Sequence, residues 1–456
     1  MKLSNNQEGS VLITALIMIA VLLILFLSAF SYGIARYGVH VKNHHATQAM
    51  YLAESGINRF VHLLNTYDRD LKSTMKDSVH SEIEGVGKYF VSARPYGGYL
   101  LLRSEGISGS QKKVRYALLG ALQRSLTDNA LTVLDSRFPI VATGRTRING
   151  DIYSAHIQLT TGQIDGKGII DKIFHSGRRV IVDSISSPYK QFTVINDYIH
   201  YVYQNLEPNA HKVSTSMQIT TDDSYFDDKT VLSIHGNLEL NDFSIRRNVD
   251  PLTIIVSGFV EIKGKSNIQG LVEIISEKFI RISDSSVYSG GILFAEDSIL
   301  IKDNSYFSAQ AITQHVLNIT DLCEIAYPSL LLADNNSLSD RGDYSIRIST
   351  SIPVNANILY ISSDTLRQRD NEVLKIDSNA TVIGVVYSSD YIDLHGNVDG
   401  SVIANNFKFE IPPTTYINWL KDVRINRYAL DYTPILPITY HDSANYRVIL
   451  TRSFNE

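Results

Sequence analysis

Residues 9–30 read Gly-Ser-Val-Leu-Ile-Thr-Ala-Leu-Ile-Met-Ile-Ala-Val-Leu-Leu-Ile-Leu-Phe-Leu-Ser-Ala-Phe, and no charge interrupts them. About 20 such residues are enough for a helix to cross the hydrocarbon core of a bilayer. The helical pattern does not stop there. Ala46, Ala49, Ala53, Ile57, Phe60 and Leu64 recur at three- and four-residue spacing, while Lys42, Gln48, Arg59 and His62 fall mostly elsewhere. One helix is therefore expected over 10–65, apolar in its first half and amphipathic in its second. A cleavable secretory signal would have a basic leader, an apolar core of about 7–15 residues and an Ala-x-Ala site. Here the leader holds Lys2 and Glu8, the run is longer, and Ser-Tyr-Gly-Ile-Ala-Arg follows Phe30.

Three pieces of this region belong together: Gly9 directly before the apolar run, the start Ser10-Val11-Leu-Ile-Thr14, and Tyr51-Leu52-Ala53-Glu54-Ser55-Gly56-Ile57. They resemble the N-terminal region of the PilX-type minor pilins and the K-type minor pseudopilins of type IV pili and type II secretion. The resemblance covers roughly residues 5–65. It implies a leader over 1–9 that a prepilin peptidase removes between Gly9 and Ser10. It also implies a stem in membrane lipid, with Val11, Thr14 and Phe30 inside it, and a stem motif at Ala53, Glu54 and Gly56. The implied partners are other pilin or pseudopilin subunits. One departure is informative. Major pilins place Glu at the fifth position after the cut, where it pairs with a neighbour's N-terminal amine; this chain has Thr14. A carboxylate in hydrocarbon needs a partner, and a stem lacking it points to a minor or tip subunit.

The chain has 456 residues, more than one domain usually holds. A net charge of −5 offers no broad basic surface, so nucleic acid is not an expected partner. Cys323 is the single cysteine, which leaves no internal disulfide framework. Arg36, Lys42 and Arg59 follow the apolar run and Lys2 precedes it, so local charge does not settle orientation. The resemblance implies a cytoplasmic leader, and the bulk is expected outside the cytoplasm, in the periplasm or at the cell surface.

After the stem, 66–127 reads as a small strand unit. Lys88–Ala93 and Tyr99–Arg103 flank Tyr96-Gly97-Gly98, a hairpin signal, and Val114–Leu119 is a third strand. From about 128 to 410 short alternating pairs recur about every 20 residues: Val260-x-Ile262, Ile280-x-Ile282, Ile299-x-Ile301, then Leu374-x-Ile376 and Ile392-x-Leu394. Each is followed by a second pair such as Ile268-x-Gly270, Val382-x-Gly384 or Val398-x-Gly400. This period marks a solenoid. The expected fold is mainly β: a pilin-like stem helix and small antiparallel meander, then a parallel β-helix with Ile262, Ile282, Ile301, Ile376 and Leu394 pointing inward. A β-sandwich is the alternative. Residues 186–228 and 321–345 break the repeat and read as insertions. The tail 411–456, with a short helix from Thr414, reads as a cap.

Candidate chemistry is sparse. Asp222, Asp223, Asp227 and Asp228 form the densest acidic cluster, and carboxylates can hold Ca²⁺. The spacing is not that of an EF-hand, and a solvated loop explains it. His44-His45 diverge on a helix. Arg341-Gly342-Asp343 matches an integrin-binding tripeptide of low specificity. Asp284, Asp303, Asp390, Asp393 and Asp399 are read as turn residues that share no register. No catalytic constellation, resident metal or cofactor is expected. The leading expectation is a minor pilin-like subunit displaying a solenoid for assembly or surface contact, with a surface polysaccharide or protein as the open ligand class. The alternatives are a membrane-tethered β-helix that binds or cleaves carbohydrate, and a membrane-anchored solenoid that polymerises.

Overall fold

The computed structural model describes residues 8–66, 79–134, 138–155, 158–164, 166–171, 173–182, 185, 187, 189, 193–220, 226, 228–335, 345–362, 373–438 and 445–453. Its contacts divide the chain into two units. One holds residues 8–60, 79–92 and 103–115; the other holds 61–66, 93–102 and 116–453 of the described set.

In the first unit, helix α1 (Glu8–Thr66) dominates. It contains no proline, and 59 residues at about 1.5 Å each make it about 90 Å long. Strand β1 (Val79–Ile83) pairs antiparallel with the start of β2 (Gly87–Tyr96), Val79 facing Val91 and Ile83 facing Gly87. β3 (Tyr99–Ser108) and β4 (Gln111–Leu122) follow in the strand order; 99–102 and 116–122 belong to the second unit, as does the closing strand Asn445–Ser453, which comes after β4 in the same sheet.

The second unit is a parallel β-solenoid, not a sandwich. Each turn has three short strands, as in Leu238–Asn241 followed by the two halves of Ser244–Val256. Alternate residues point inward, and identical register stacks them. Leu240, Ile262, Ile282, Ile301, Ile319, Ile348, Ile376 and Leu394 form one continuous interior row. No rung could bury its own apolar face, so the repeats hold one another.

The corners explain the period. Asp284, Asp303 and Asp321 have φ near +58°, a conformation that Asp tolerates because its short side chain bonds locally. A buried serine closes the corners at Asp284 and Asp303, where Ser286 donates to Ser283 O and Ser305 to Lys302 O, and also the corner at Gly264, where Ser266 donates to Lys263 O, each at 2.7 Å; at Asp321 the buried residue in this place is Cys323. On another face Gly384 and Gly400 stack in register with φ of 142° and 155°. A Cβ on Gly400 would strike the carbonyl of Gly384.

The chain does not climb the stack in order. Leu131–Val133 pairs with Val402–Ala404 on one side and with Ile152–Ser154 on the other. Ile425 lies between Val398 and Ile148. The first rungs of the sequence therefore stack upon the last. The opposite end is built by His211–Val213 and Met217–Thr220, which pair with Leu232–Ile234 and Leu238–Asn241.

Several expectations change accordingly. Thr414–Ile417 and Trp419–Lys421 are strands rather than a helix, as their β-branched and aromatic residues favour. Residues 414–426 are not a terminal cap: Trp419–Lys421 and Arg424–Asn426 are part of the stack, and the last strand belongs to the small sheet. The solenoid is thus inserted between β4 and the closing strand. Glu324–Asn335 is not an insertion but a rung strand between Tyr306–Thr313 and Val354–Ser362. Its Leu330–Ala333 run is buried on both faces, which hides the alternation. Within 186–228, residues 211–213 and 217–220 are rungs as well.

Candidate assembly stem and display surface

Gly9 and Ser10 fall in the first turn of α1. From Val11 through Val41 nearly every side chain is exposed, including Val11, Thr14 and Phe30. The most apolar 18-residue window has a mean hydropathy of 3.1, and none of it is buried within the chain. A helix suits lipid because its backbone groups are paired internally. Ser28 follows the same rule by donating to Ile24 O at 2.7 Å. This helix is long and apolar enough to cross a membrane. Its apolar character continues past that stretch, with Tyr32, Ile34, Tyr37 and Val39 exposed.

The stem motif sits where α1 meets the sheet of its own unit. Ala49, Leu52, Ala53, Ile57 and Phe60 are buried. A Cβ on Gly56 would stand 2.5 Å from Ser104 Oγ and 2.8 Å from Val91 Cγ2, so only glycine lets the helix approach this closely. Glu54 reaches Arg115 of β4 at 3.4 Å. One turn earlier, Ser108 of β3 donates to Gln48 Oε1 at 2.9 Å and lies 3.0 Å from His45 Nδ1. Each part of Ala53-Glu54-Ser55-Gly56 except Ser55 has a contact that explains it. His45 is a docking residue, and His44 is exposed beside it.

On the solenoid, Ile262, Ile282, Ile301, Ile376 and Leu394 lie in the core. Between them the outward positions carry charge. Lys263 bridges Glu239 at 2.8 Å and Glu261 at 3.5 Å, and Arg281 meets Glu261 at 2.8 Å. Asp284 and Asp303 occupy corners, but Asp390, Asp393 and Asp399 lie on strands. Asp393 faces Lys375 at 3.1 Å and His395 at 2.7 Å. Burial opposes its ionisation, yet hydrogen bonding to His395 and Lys375 prevails and holds the carboxyl below its usual range. Asp399 pairs with Arg424 at 3.0 Å. Lys263–Glu239, Arg281–Glu261, Asp393–Lys375 and Asp399–Arg424 tie one rung to the next, whereas Lys263–Glu261 and Asp393–His395 lie within a rung. Among the described residues no group of three or more His, Cys, Asp or Glu could hold a metal. Asp222, Asp223 and Asp227, and Arg341-Gly342-Asp343, lie outside the described residues; Asp228 is exposed. Cys323 is buried, and burial pushes its thiol up to about 11.

A third face was not legible from alternation. Its outward residues, among them Glu273, Ile275, Ile292, Gln310, Ile312 and Asn357, are buried. The β2–β3 hairpin tip lies on it: Gln310 donates to Tyr96 O at 3.1 Å and accepts from Gly98 N at 2.9 Å. Asn357 donates to Ile435 O at 2.8 Å. Described residues from between the two ends of the stack also lie here. Ser187 Oγ lies 2.6 Å from Tyr387 Oη, and the crossover helix Val194–Tyr201 brings Tyr198 Oη to Glu273 at 2.8 Å. Arg94, on the hairpin, grips the same carboxylate with both terminal nitrogens. Burial works against the Arg94 charge, but Glu273 more than offsets it, and the guanidinium is held charged more firmly than usual. Burial, reinforced by Glu273, pushes the Tyr198 hydroxyl well up.

No protein-family model and no curated protein matches the sequence. Among solved structures, the chain is similar to the crystal structure of the competence-associated pilin ComZ from Thermus thermophilus, at 10% identity over 90% of this chain and 98% of that one. The TM-score is 0.19, and a likeness at that level carries no argument.

Proposed function

We propose that the chain is a PilX-type minor subunit of a type IV pilus or a secretion pseudopilus. It is held in a membrane by α1, displays its solenoid outside the cytoplasm for assembly or surface contact, and catalyses no reaction. The observation that carries this reading is α1 itself. Its first half is apolar and unburied, and its second half is seated on an antiparallel sheet through Ala53, Glu54 and Gly56. An exposed run of Leu, Ile and Val is costly in water, at about 25 cal/mol per Å². Lipid and the stems of neighbouring subunits would cover it. Thr14 fits a subunit present in few copies, since a repeated stem without a carboxylate there would leave each neighbour's amine unmet in hydrocarbon.

Processing tests the reading. Co-expressed with a prepilin peptidase, the protein should mature to a chain beginning Ser10-Val11-Leu-Ile, read by intact mass. Gly9→Leu should remain at precursor mass, because such a peptidase needs a small residue before the cut. A mature wild-type protein that still begins at Met1 or Lys2 would overturn the assignment.

A further inference from the structure

The middle strand of each turn, the one that carries Gly384 and Gly400, builds a face unlike the other two. Its outward residues stack in register: Gln269, Ser289 and Ser308 share one row, and Asn355 stands beside Ile383 farther along. All five are partly exposed. From Asn267 to Ile383 these strands turn one charge outward among the described residues, Glu324. The neighbouring face, by contrast, is laced with the ion pairs of Lys263 and Arg281. Two tyrosines stand at the edge of the uncharged face. Tyr327 lies where the stack slips register, between Ile325 and Leu330. Tyr432 meets it edge to face, with ring centroids 5.3 Å apart, and each tyrosine is 38% exposed. Both are tied to the ladder: Tyr432 Oη donates to Asn355 Oδ1 at 3.3 Å, and Ser308 Oγ donates to Tyr327 O at 3.4 Å.

This chemistry narrows the partner. A nucleic acid needs cations to meet its phosphates, and the one charge here is a carboxylate. A membrane surface calls for basic and apolar side chains together. A protein partner, a second copy included, needs a contiguous apolar centre inside a polar rim, and the aliphatic Val287 and Ile383 stand several rungs apart. An uncharged array of amides and hydroxyls beside accessible rings fits a neutral sugar chain. Such a chain offers hydroxyls to the ladder and the C–H face of a pyranose to a tyrosine. Rungs repeat at about 4.8 Å, close to the length of one pyranose in an extended chain, so the ladder from Gln269 to Asn355 spans about 19 Å.

We propose that this face binds an extended, uncharged polysaccharide laid along the stack, with a sugar ring on Tyr432 and hydroxyls on Gln269, Ser289 and Asn355. The proposal rests on the reading that the solenoid is displayed outside the cytoplasm. It is tested by binding alone, so its failure would leave the processing result standing. The probes are hexamers of β-1,4-linked glucose and of β-1,4-linked N-acetylglucosamine, titrated by calorimetry into the full chain in a detergent without a sugar headgroup. At least one should bind saturably and at least about tenfold more tightly than its dimer, which reaches only part of the ladder. The β-1,4-linked glucuronate hexamer, with a carboxylate on every ring, should bind at least about tenfold more weakly than the glucose hexamer, because Glu324 repels it. Tyr432→Ala should weaken binding of the neutral hexamer at least about tenfold, and Gln269→Ala about threefold or more with an unchanged thermal midpoint. Asn318→Ala, on the ion-paired face, should change nothing. No saturable binding of either neutral hexamer, equal binding of the glucuronate chain, indifference to both Tyr432→Ala and Gln269→Ala, or self-association that Tyr432→Ala abolishes would overturn the proposal.

Discussion

Arg94→Met is the most direct test of how the hairpin tip is fastened to the solenoid. Glu273 is fully buried, and Arg94 and the Tyr198 hydroxyl are its charged and neutral partners. Removing the cation strands a carboxylate in the interior, which costs about 3–5 kcal/mol. Tyr198→Phe removes one hydrogen bond to a charged group and should cost about 1.5–3 kcal/mol. The double variant Arg94→Met, Glu273→Leu removes both charges and keeps most of the volume. It should recover nearly all the loss, because desolvating an ion pair opposes the attraction within it. The assay is equilibrium unfolding by denaturant of the detergent-solubilised chain, completed as a double-mutant cycle. A coupling of about 2 kcal/mol or more between Arg94 and Glu273 is expected. If Arg94→Met cost less than about 1 kcal/mol, or if the two losses simply added, the pair would be behaving as a solvent-screened surface bridge. The reasoning from burial would then fail.

Three other outcomes follow from the structure. Ile282→Asp should lower stability by several kcal/mol by burying an unpaired carboxylate, whereas Arg281→Asp, one residue earlier and outward, should cost about 1 kcal/mol or less; equal unfolding midpoints would refute the register. Gly56→Ala should loosen the helix from the sheet at a cost of about 1–3 kcal/mol, read as faster hydrogen exchange at the amides of 86–91 and 104–108, and unchanged exchange would show that the close approach is not needed. Asp334 is 3% exposed, its Oδ1 has no hydrogen-bond partner among the described residues, and burial pushes its carboxyl up to about 7. A folded value above the unfolded one means that stability is full at low pH and is lost as pH rises from about 4 to about 7, by up to about 4 kcal/mol. Asp334→Asn should therefore raise the denaturation midpoint at pH 8 and leave it nearly unchanged at pH 4; an equal effect at both would contradict a buried, protonated carboxyl.

The rung alternation was legible because it is local. Val260-x-Ile262 and its repeats put an apolar residue at every second position, and a lone rung has nowhere to bury them, so stacking follows from sequence. The corner serines were available too: Ser266, Ser286 and Ser305 recur with the period, though alternation alone draws no attention to a polar residue. Gly56 could be placed in a motif by its neighbours, but its purpose appeared only with Ser104 and Val91 beside it.

What sequence determined by itself is the uncharged apolar stem, the amphipathic stripe beyond it and the repeating interior rows, all set by spacing within a few residues. The tertiary structure decided which rungs are neighbours. Parallel pairing joins segments far apart in the chain, and nothing in Leu131–Val133 indicates that its partner is Val402–Ala404. It also decided which outward face is dry. Glu273 alternates outward as Glu261 does, and only the arrival of Arg94 and Tyr198 from distant segments makes it an interior charge. Local periodicity fixes which side a residue takes, but burial depends on what the rest of the chain lays over that side.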